Sequence, residues 1–320
     1  MLSEEPGEPV TVGPYELADH EWTPVESCPL CESDSGQHRP FATHMAGSTA
    51  IRYVLCERCG LVFQSPQLTR EALDRHYRLE YHQRSHSQER DPQKDRWVQE
   101  RRAEHLARVL RRHQPRPRRH LDVGSSSGIL LKAFSREFGS EAFGVEPGES
   151  DRAEAVAAGV RVVASIDQIP RQAAGTFDLV TLIHVLEHLP DPIGTLRLIR
   201  QEWLAADGLV LVETPSLYDH TSFELGHLVA FSEQTLRGAL SAAGFETVDL
   251  RRHGKPYSRL LPLFLLAVVR SAPSASEPAF RPPRPVWVHL RRWLGLTRLR
   301  LARLAARLLL GGRRLQPWTD

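Results

Sequence analysis

Three groups of side chains in this chain have the type and spacing to do chemistry. Four cysteines stand as two pairs, Cys28-x2-Cys31 and Cys56-x2-Cys59. That spacing lets neighbouring thiolates and the N–H groups between them surround a tetrahedral Zn²⁺, and four thiolates close the coordination sphere, so the site reads as structural. In a reducing compartment such a cluster favours a metal over a disulfide. The second group is the run LDVGSSSG at residues 121–128, where an apolar stretch ends in Asp122 and a Gly–Ser loop follows. Roughly 20 residues on, AFGVEP sets Glu146 at the end of another apolar stretch, where an acid can accept hydrogen bonds from both hydroxyls of a ribose. Adenosine is implied. A dinucleotide fingerprint G-x-G-x-x-G is not met, because Ser126 stands between Gly124 and Gly128 and position 129 is Ile. The third group is histidine, the usual base near neutral pH. His184 and His188 occur in LIHVLEHLPDP with Glu187 between them, and His227 occurs in ELGHLVAFS.

The elements that must position these residues can be read from periodicity. From position 120 onward, short β-like runs alternate with helical ones: HLDVG then ILLKAFSREF, AFGVE then ESDRAEAVAAG, VRVVA, FDLVTLIHV then a helix over 192–204, and GLVLVET. Alternation of this kind predicts a parallel sheet covered by helices on both faces, with ligands at the carboxyl ends of its strands. SEQTLRGALSAAG reads as a helix closed by a glycine, followed by two strands, FETVDLRR and LFLLAVVR. Seven strands with five or six helices are expected. Upstream, Trp97, Val98, Ala103, Leu106, Val109 and Leu110 recur at helical spacing, and YVLC and LVF beside the cysteines predict a small β-rich module.

The arrangement Asp122-x-Gly124-x-Ser126-x-Gly128 resembles the first motif of class I S-adenosylmethionine-dependent methyltransferases. The likeness extends over roughly residues 95–270. It implies a seven-stranded Rossmann-like α/β sheet and S-adenosyl-L-methionine as methyl donor. Asp122 would orient the loop and the amino-acid end of the cofactor, Gly124, Ser126 and Gly128 would let backbone approach it, Glu146 would hold the ribose, and Ser165, Ile166 and Asp167 the adenine. Ser126 departs from the commoner glycine. FDLVTLIHVLEHLPDP resembles the family's fourth strand and following loop, which sets Glu187 and His188 as structural and His184 nearer the methyl-donor end. The segments CPLC and YVLCERCGLVFQSP resemble the zinc-binding N-terminal module of bacterial methyltransferases in sugar and natural-product pathways. In sugar C-methyltransferases a His ahead of an aromatic–Ser pair serves as base, and His227 before Phe231 and Ser232 matches it in part. A second His and a Tyr of that pattern are replaced here by Leu225 and Gly226, and the further C-terminal α/β domain of those enzymes has no counterpart. Two catalytic candidates follow, His227 and then His184.

With 320 residues and 41% hydrophobic content, the chain has enough for one α/β core and a smaller module. The expected division is a disordered acidic, Pro-rich tail over 1–24, a zinc module over 25–81, a linking helical segment over 82–118, the methyltransferase domain over 119–272 and a basic segment over 273–320. No signal-peptide pattern and no apolar run of spanning length occurs, so the expected location is cytoplasmic. Within the basic segment Arg292, Arg300, Arg303, Arg307 and Arg314 share one helical face, Leu294, Leu301, Leu304, Leu308 and Leu309 lie opposite, and Trp287 and Trp293 stand at its start. Such a helix either lies peripherally on an anionic membrane through residues 287–314 or packs on the protein's own core with arginines outward. Nucleic acid is disfavoured as a partner, because aromatic and basic residues do not interleave along a groove-like stretch. The expected activity is methyl transfer to a small molecule such as a nucleotide-linked sugar or another biosynthetic intermediate. The alternatives are an RNA methyltransferase gripping its substrate through the ribbon, and a non-catalytic membrane-associated protein on the same scaffold.

Overall fold

The computed structural model describes residues 10–12, 15–17, 21–46, 49–77, 92–113, 116–170, 172, 175–221, 223–272 and 284–309. Its central element is a seven-stranded sheet. The strands in chain order are β8 (Arg119–Val123), β9 (Glu141–Val145), β10 (Arg161–Val163), β11 (Phe177–Ile183), β12 (Leu204–Pro215), β14 (Phe245–His253) and β15 (Phe264–Ser271), and their spatial order is β10-β9-β8-β11-β12-β15-β14. All neighbouring pairs from β10 to β12 are parallel, and β15 runs antiparallel to both β12 and β14. Chain order reverses between β8 and β11, which is where a doubly wound sheet opens a crevice for a ligand.

The helices around the sheet follow from local sequence signals. ILLKAFSREF forms α3 (Ile129–Phe138), buries Leu131 and Phe134, and ends at Gly139 in the left-handed conformation. α4 (Glu149–Ala157) follows β9. Asp191 caps α5 (Pro192–Leu198), accepting from the Gly194 N–H at 2.8 Å, with Pro192 at the first turn. The α-helix predicted over 192–204 stops at Leu198, gives way to a π-helical turn over Ile199–Trp203, and β12 begins at Leu204, earlier than the pattern GLVLVET suggested. A capping box of Ser232 and Thr235 starts α6 (Glu233–Ala242). α2 (Pro92–Leu110) carries the predicted apolar stripe. Its Leu106, Val109 and Leu110 pack with Phe134, Leu179 and Leu211, so this helix is a layer of the main fold.

The N-terminal module is built on β4 (His38–Ala46), β5 (Thr49–Cys56) and β6 (Val62–Gln64), and α1 (Arg70–Arg75) follows it. Its sheet has a fourth strand that lies 165 positions beyond Gln64. This strand, β13 (Val229–Ala230), comes from the half that carries the seven-stranded sheet and pairs antiparallel with β6, Val229 opposite Phe63 and Ala230 opposite Val62. One apolar cluster runs from Ile51, Tyr53 and Phe63 through Val229 and Phe231 to Leu186 and Leu236. Within the tail expected to be disordered, β1 (Val10–Val12) pairs with β2 (Tyr15–Leu17), and β3 (Trp22–Thr23) pairs with β7 (Gln67–Leu68). Residues 1–9, 13–14 and 18–20 lie outside the described residues.

The C-terminal helix α7 (Pro285–Leu309) packs on the rest of the molecule through Val288 and Leu299, both under 5% exposed. At Gly295 the contact is so close that a Cβ would fall 2.1 Å from the Tyr218 carbonyl oxygen. The packing differs from an arginines-outward helix: Arg292 turns inward and Arg298 pairs with Asp219, while leucines face away. The side chains of Arg307, Leu308 and Leu309, and all of Arg314, lie outside the described residues. No described helix is long and apolar enough to cross a membrane.

Candidate active site

The loop after β8 lies at the chain reversal. Gly124 and Gly128 take φ of +76° and +77°, and a Cβ on Gly124 would come within 2.4 Å of the Val185 side chain, so glycine is required there. Gly124 and Ser125 donate their N–H groups to Val145 O at 2.8 and 3.0 Å, fixing the loop to the end of β9. Ser126 also adopts a left-handed backbone, φ +46°, and its hydroxyl donates to Asp151 Oδ2 at 3.1 Å on α4. A serine is therefore accommodated where the resemblance has glycine, with its side chain tied outward.

Glu146 sits directly beneath this loop. The Ser126 N–H donates to its Oε2 and the Gly148 N–H to its Oε1, both at 2.8 Å, and the residue is only 7% exposed. Beside it, Ser125 Oγ is buried with no hydrogen-bond partner among the described residues. These residues fit the adenosyl end of S-adenosylmethionine. Ser165, Ile166 and Asp167 follow β10, with Ile166–Gln168 forming a 3-10 turn, and the Glu146 N–H donates to Val163 O at 2.9 Å, so that turn begins next to the carboxylate. Ile166 is half-buried and Asp167 exposed.

Asp122 lies deeper than the loop. It is 2% exposed and its Oδ1 accepts from Thr181 Oγ1 at 2.5 Å, while His120 Nε2 lies 2.8 Å from the same hydroxyl. Burial pushes the Asp122 carboxyl up to about 7, with the Glu146 charge adding to it and the Thr181 bond opposing. Its contacts tie β8 to β11 below the loop.

A charged cluster occupies the ends of β11, β12 and β14. Glu213 is fully buried, with Arg102 Nε and His184 Nε2 each 2.9 Å from Oε1 and His253 Nε2 3.1 Å from Oε2. Burial opposes its charge, but Arg102 and the two imidazoles hold the carboxyl well below the usual range. His184, at φ +57°, faces a carboxylate with each ring nitrogen: Nε2 with Glu213 and Nδ1 with Glu187 Oε1 at 3.3 Å. Burial and Arg102 disfavour a charge on His184, the two carboxylates outweigh them, and its pKa is raised. Glu187 is 1% exposed; burial would raise it, and His184 with the neighbouring histidines brings it down to about 2. Sequence reasoning passed over Glu213, Arg102 and His253. For Glu213 the signal was present, an acid ending the apolar run GLVLVE just as Glu146 ends AFGVE.

His227 belongs to a different neighbourhood, the segment 224–228, which the N-terminal module grips. Tyr53 OH donates to the carbonyls of Glu224 and His227 at 3.0 and 2.8 Å. Gln64 Nε2 reaches the carbonyls of Glu224, Leu225 and His227 at 3.1 to 3.3 Å, and its backbone N–H donates to Leu228 O at 2.8 Å. Tyr77 OH donates to Gly226 O at 3.0 Å and lies 2.9 Å from His188 Nδ1. The Tyr53 ring stacks on Phe223 with centroids 4.1 Å apart. His227 itself is 7% exposed, with Nε2 2.9 Å from Glu224 Oε1, and its ring meets that of His188 at 4.6 Å. The bond to His227, acting against burial, draws Glu224 down to about 2. Burial, reinforced by the His227 charge, takes His188 down to about 4.

Glu187, His220 and His227 line a small cleft of ≈ 10 Å³, together with Leu217, Phe223 and, from α7, Arg292. Arg292 donates to the carbonyls of Leu217 and His220, and its guanidinium lies 4.0 Å from the Phe223 ring centroid. Burial lowers its pKa to about 10, which leaves it charged at neutral pH, and no carboxylate pairs with it among the described residues. Nothing in the sequence marked this arginine out from its neighbours on the helix.

The four cysteines converge in the N-terminal module. Cys28 Sγ lies 3.6 Å from Cys59 Sγ and Cys31 Sγ 3.6 Å from Cys56 Sγ, and all four sulfurs fall within 4.8 Å of one another. A tetrahedron of thiolates with Zn–S of about 2.3 Å has edges of about 3.8 Å, so the set fits zinc. The knuckles are closed by the Glu32 N–H to Cys28 O at 2.9 Å and the Gly60 N–H to Cys56 O at 2.8 Å.

The strand order, with the glycine loop after β8 and an acid after β9, is that of the methyltransferase fold. In agreement, residues 95–250 match the family model described as a methyltransferase domain. The chain is 37% identical over 84 residues to a ubiquinone biosynthesis O-methyltransferase of Vibrio campbellii, covering 24% of this chain and 35% of that protein. It is 32% identical over 99 residues to the ubiquinone biosynthesis O-methyltransferase of Xanthomonas axonopodis pv. citri, covering 29% of this chain and 41% of that one. It thus spans well under half the length of these curated relatives. Among solved structures, a Burkholderia thailandensis 1,6-didemethyltoxoflavin-N1-methyltransferase with bound 1,6-didemethyltoxoflavin and S-adenosylhomocysteine shares the fold, with a TM-score of 0.53 at 20% identity, over 72% of this chain and 100% of that one.

Proposed function

We propose that this chain methylates a hydroxyl group of an anionic small-molecule intermediate, with His227 as the base. The observation that carries the reading is His227, paired with Glu224, lining the same cleft as a half-buried Arg292 that has no carboxylate partner among the described residues. S-adenosylmethionine, when bound, supplies an electrophilic methyl group on a sulfonium. Glu146 accepts the ribose hydroxyls, the 124–128 backbone gives the close approach, and the turn at Ser165, Ile166 and Asp167 borders the adenine. His227 takes the proton from the acceptor oxygen, and Glu224, held ionised, stabilises the imidazolium that forms. His184 is less suited to act as the base. With a carboxylate on each ring nitrogen raising its pKa, it orders the floor of the site together with Glu187 and Glu213. Arg292 answers a negative group on the acceptor, which the phosphates of a nucleotide-linked sugar would supply.

Cys28, Cys31, Cys56 and Cys59 would hold a structural zinc ion, whose charge lets four thiolates coexist. Through Tyr53 and Gln64 that module sets the position of His227. One experiment tests the whole reading. Purified protein incubated with methyl-deuterated S-adenosylmethionine and a pool of small anionic metabolites should yield S-adenosylhomocysteine and a deuteromethylated product, and His227→Ala should yield neither. Turnover that persists undiminished in His227→Ala would overturn the base assignment, and absence of S-adenosylmethionine binding would overturn the reading as a whole.

A further inference from the structure

The two sides of α7 differ sharply. One side is committed to the protein through Val288, Arg292, Gly295 and Leu299. The other carries Trp287, Leu290, Trp293, Leu294, Leu301 and Leu304, which are 53%, 38%, 61%, 52%, 60% and 53% exposed. At the helical pitch of 3.6 residues per turn these six fall within an arc of about 120°, opposite the packed side, and form a stripe roughly 26 Å long. Arg291 borders one edge of the stripe and Arg300 the other, and both are exposed. Between Pro285 and Leu309 there is no acidic residue. Soluble surfaces seldom present an apolar patch this long without a partner for it.

We propose that this stripe is a docking face for the surface of a bilayer containing anionic lipids. The charge pattern selects that occupant. An apolar centre with indole rings flanked by guanidinium groups suits the boundary between acyl chains and anionic headgroups, where tryptophan prefers to reside. A second copy of the chain is the poorer fit, because a two-fold pairing of this face would bring arginine edges against arginine edges with no acid on the helix to neutralise them. Nucleic acid is also poorer, since phosphate contact calls for charge at the centre of the face rather than at its margins. Because Arg292 of the same helix lines the acceptor cleft, docking would hold that cleft at the lipid–water boundary.

The test needs no knowledge of the acceptor and no methyl transfer, so its outcome is separable from the enzymatic reading. Full-length protein is sedimented with vesicles of phosphatidylcholine alone and with vesicles in which about a third of the lipid is phosphatidylglycerol. Binding should be at least tenfold stronger to the anionic vesicles and should weaken with added salt. Trp293→Glu with Leu301→Glu, both on the outward side and so compatible with folding by circular dichroism, should reduce it at least tenfold; Arg291→Glu with Arg300→Glu should reduce it severalfold. Absence of binding to anionic vesicles, or binding unaffected by Trp293→Glu with Leu301→Glu, would overturn the proposal. A concentration-dependent dimer abolished by that same pair of substitutions would reassign the face to a second copy.

Discussion

The surroundings of Glu146, proposed to hold the cofactor, and those of His227, proposed to meet the acceptor, are built on different principles. Around Glu146 nearly every contact is local: Ser126, Gly148, Asp151 and Val145 all lie within about 25 positions of it, on consecutive strand–loop–helix units. Around His227 the decisive contacts are remote. Tyr53 and Gln64 reach segment 224–228 across separations of 160 to 174 positions, and Arg292 arrives from the other end of the chain. A site fixed by its own turn chemistry can be kept while the rest of the molecule varies; a site assembled from three parts of the chain depends on all of them. The pocket proposed for the methyl donor is therefore the general part of the protein and the cleft proposed for the acceptor its particular part.

The strongest way to break that comparison is His227→Ala. Loss of a general base should lower kcat by about 10²–10⁴ while S-adenosylmethionine affinity measured by calorimetry stays within about twofold. An equal loss in both would show that the two sides are not separable. Glu146→Ala should do the reverse and weaken cofactor binding by at least about tenfold, because each hydrogen bond to a charged acceptor contributes roughly 1.5–3 kcal/mol. Arg292→Ala should raise KM for an anionic acceptor by about tenfold with kcat nearly intact, the pattern of binding lost equally from ground and transition states. An uncharged acceptor analogue should not respond to it. Tyr53→Phe is smaller still: it leaves two carbonyls short of a donor, at a cost of about 1–3 kcal/mol in stability, with kcat reduced severalfold and cofactor affinity unmoved.

The smallest effect sought is in acid. Burial holds His105, His188 and His220 down at about 4 and His120 at about 3, so the unfolded chain binds these protons first as pH falls below about 6.5. Stability should accordingly decline between about pH 6.5 and 4. Asp122, raised to about 7, pulls the other way over this range and His184, also raised, does so above about 6.5, while Glu187 and Glu224, held down at about 2, add to the decline as the unfolded carboxyls take up protons near 4.5. The four histidines outnumber the two opposing groups. Amide exchange, corrected for its intrinsic rate, should show segment 224–228 losing protection on going from pH 7 to pH 5 before the 124–128 loop does.

How much was legible in the sequence follows the same division. The order of strands and helices from 120 to 271, the loop at 121–128 and the acid at 146 could be read because each depends on periodicity and turn residues within a short window. The paired cysteines could be read for the same reason. The role of the module was hidden, because nothing in the run YVLC marks its tyrosine as a donor to carbonyls 171 positions away. The helix at 285–309 showed its two faces in the sequence but not which face would turn inward. That was decided by Gly295, whose missing side chain lets the helix approach Tyr218, and by Arg292 finding Phe223 beneath it.

The strand Val229–Ala230 on the edge of the module's sheet has a consequence for how the chain comes into being. During synthesis β6 leaves the ribosome long before its neighbour does. At about 5–20 residues per second, the 165 positions between them take on the order of ten to thirty seconds, during which one rim of an otherwise finished sheet has open N–H and C=O groups. The nascent module must stay soluble through that interval, and the last strand it receives is the one that follows His227 in the chain.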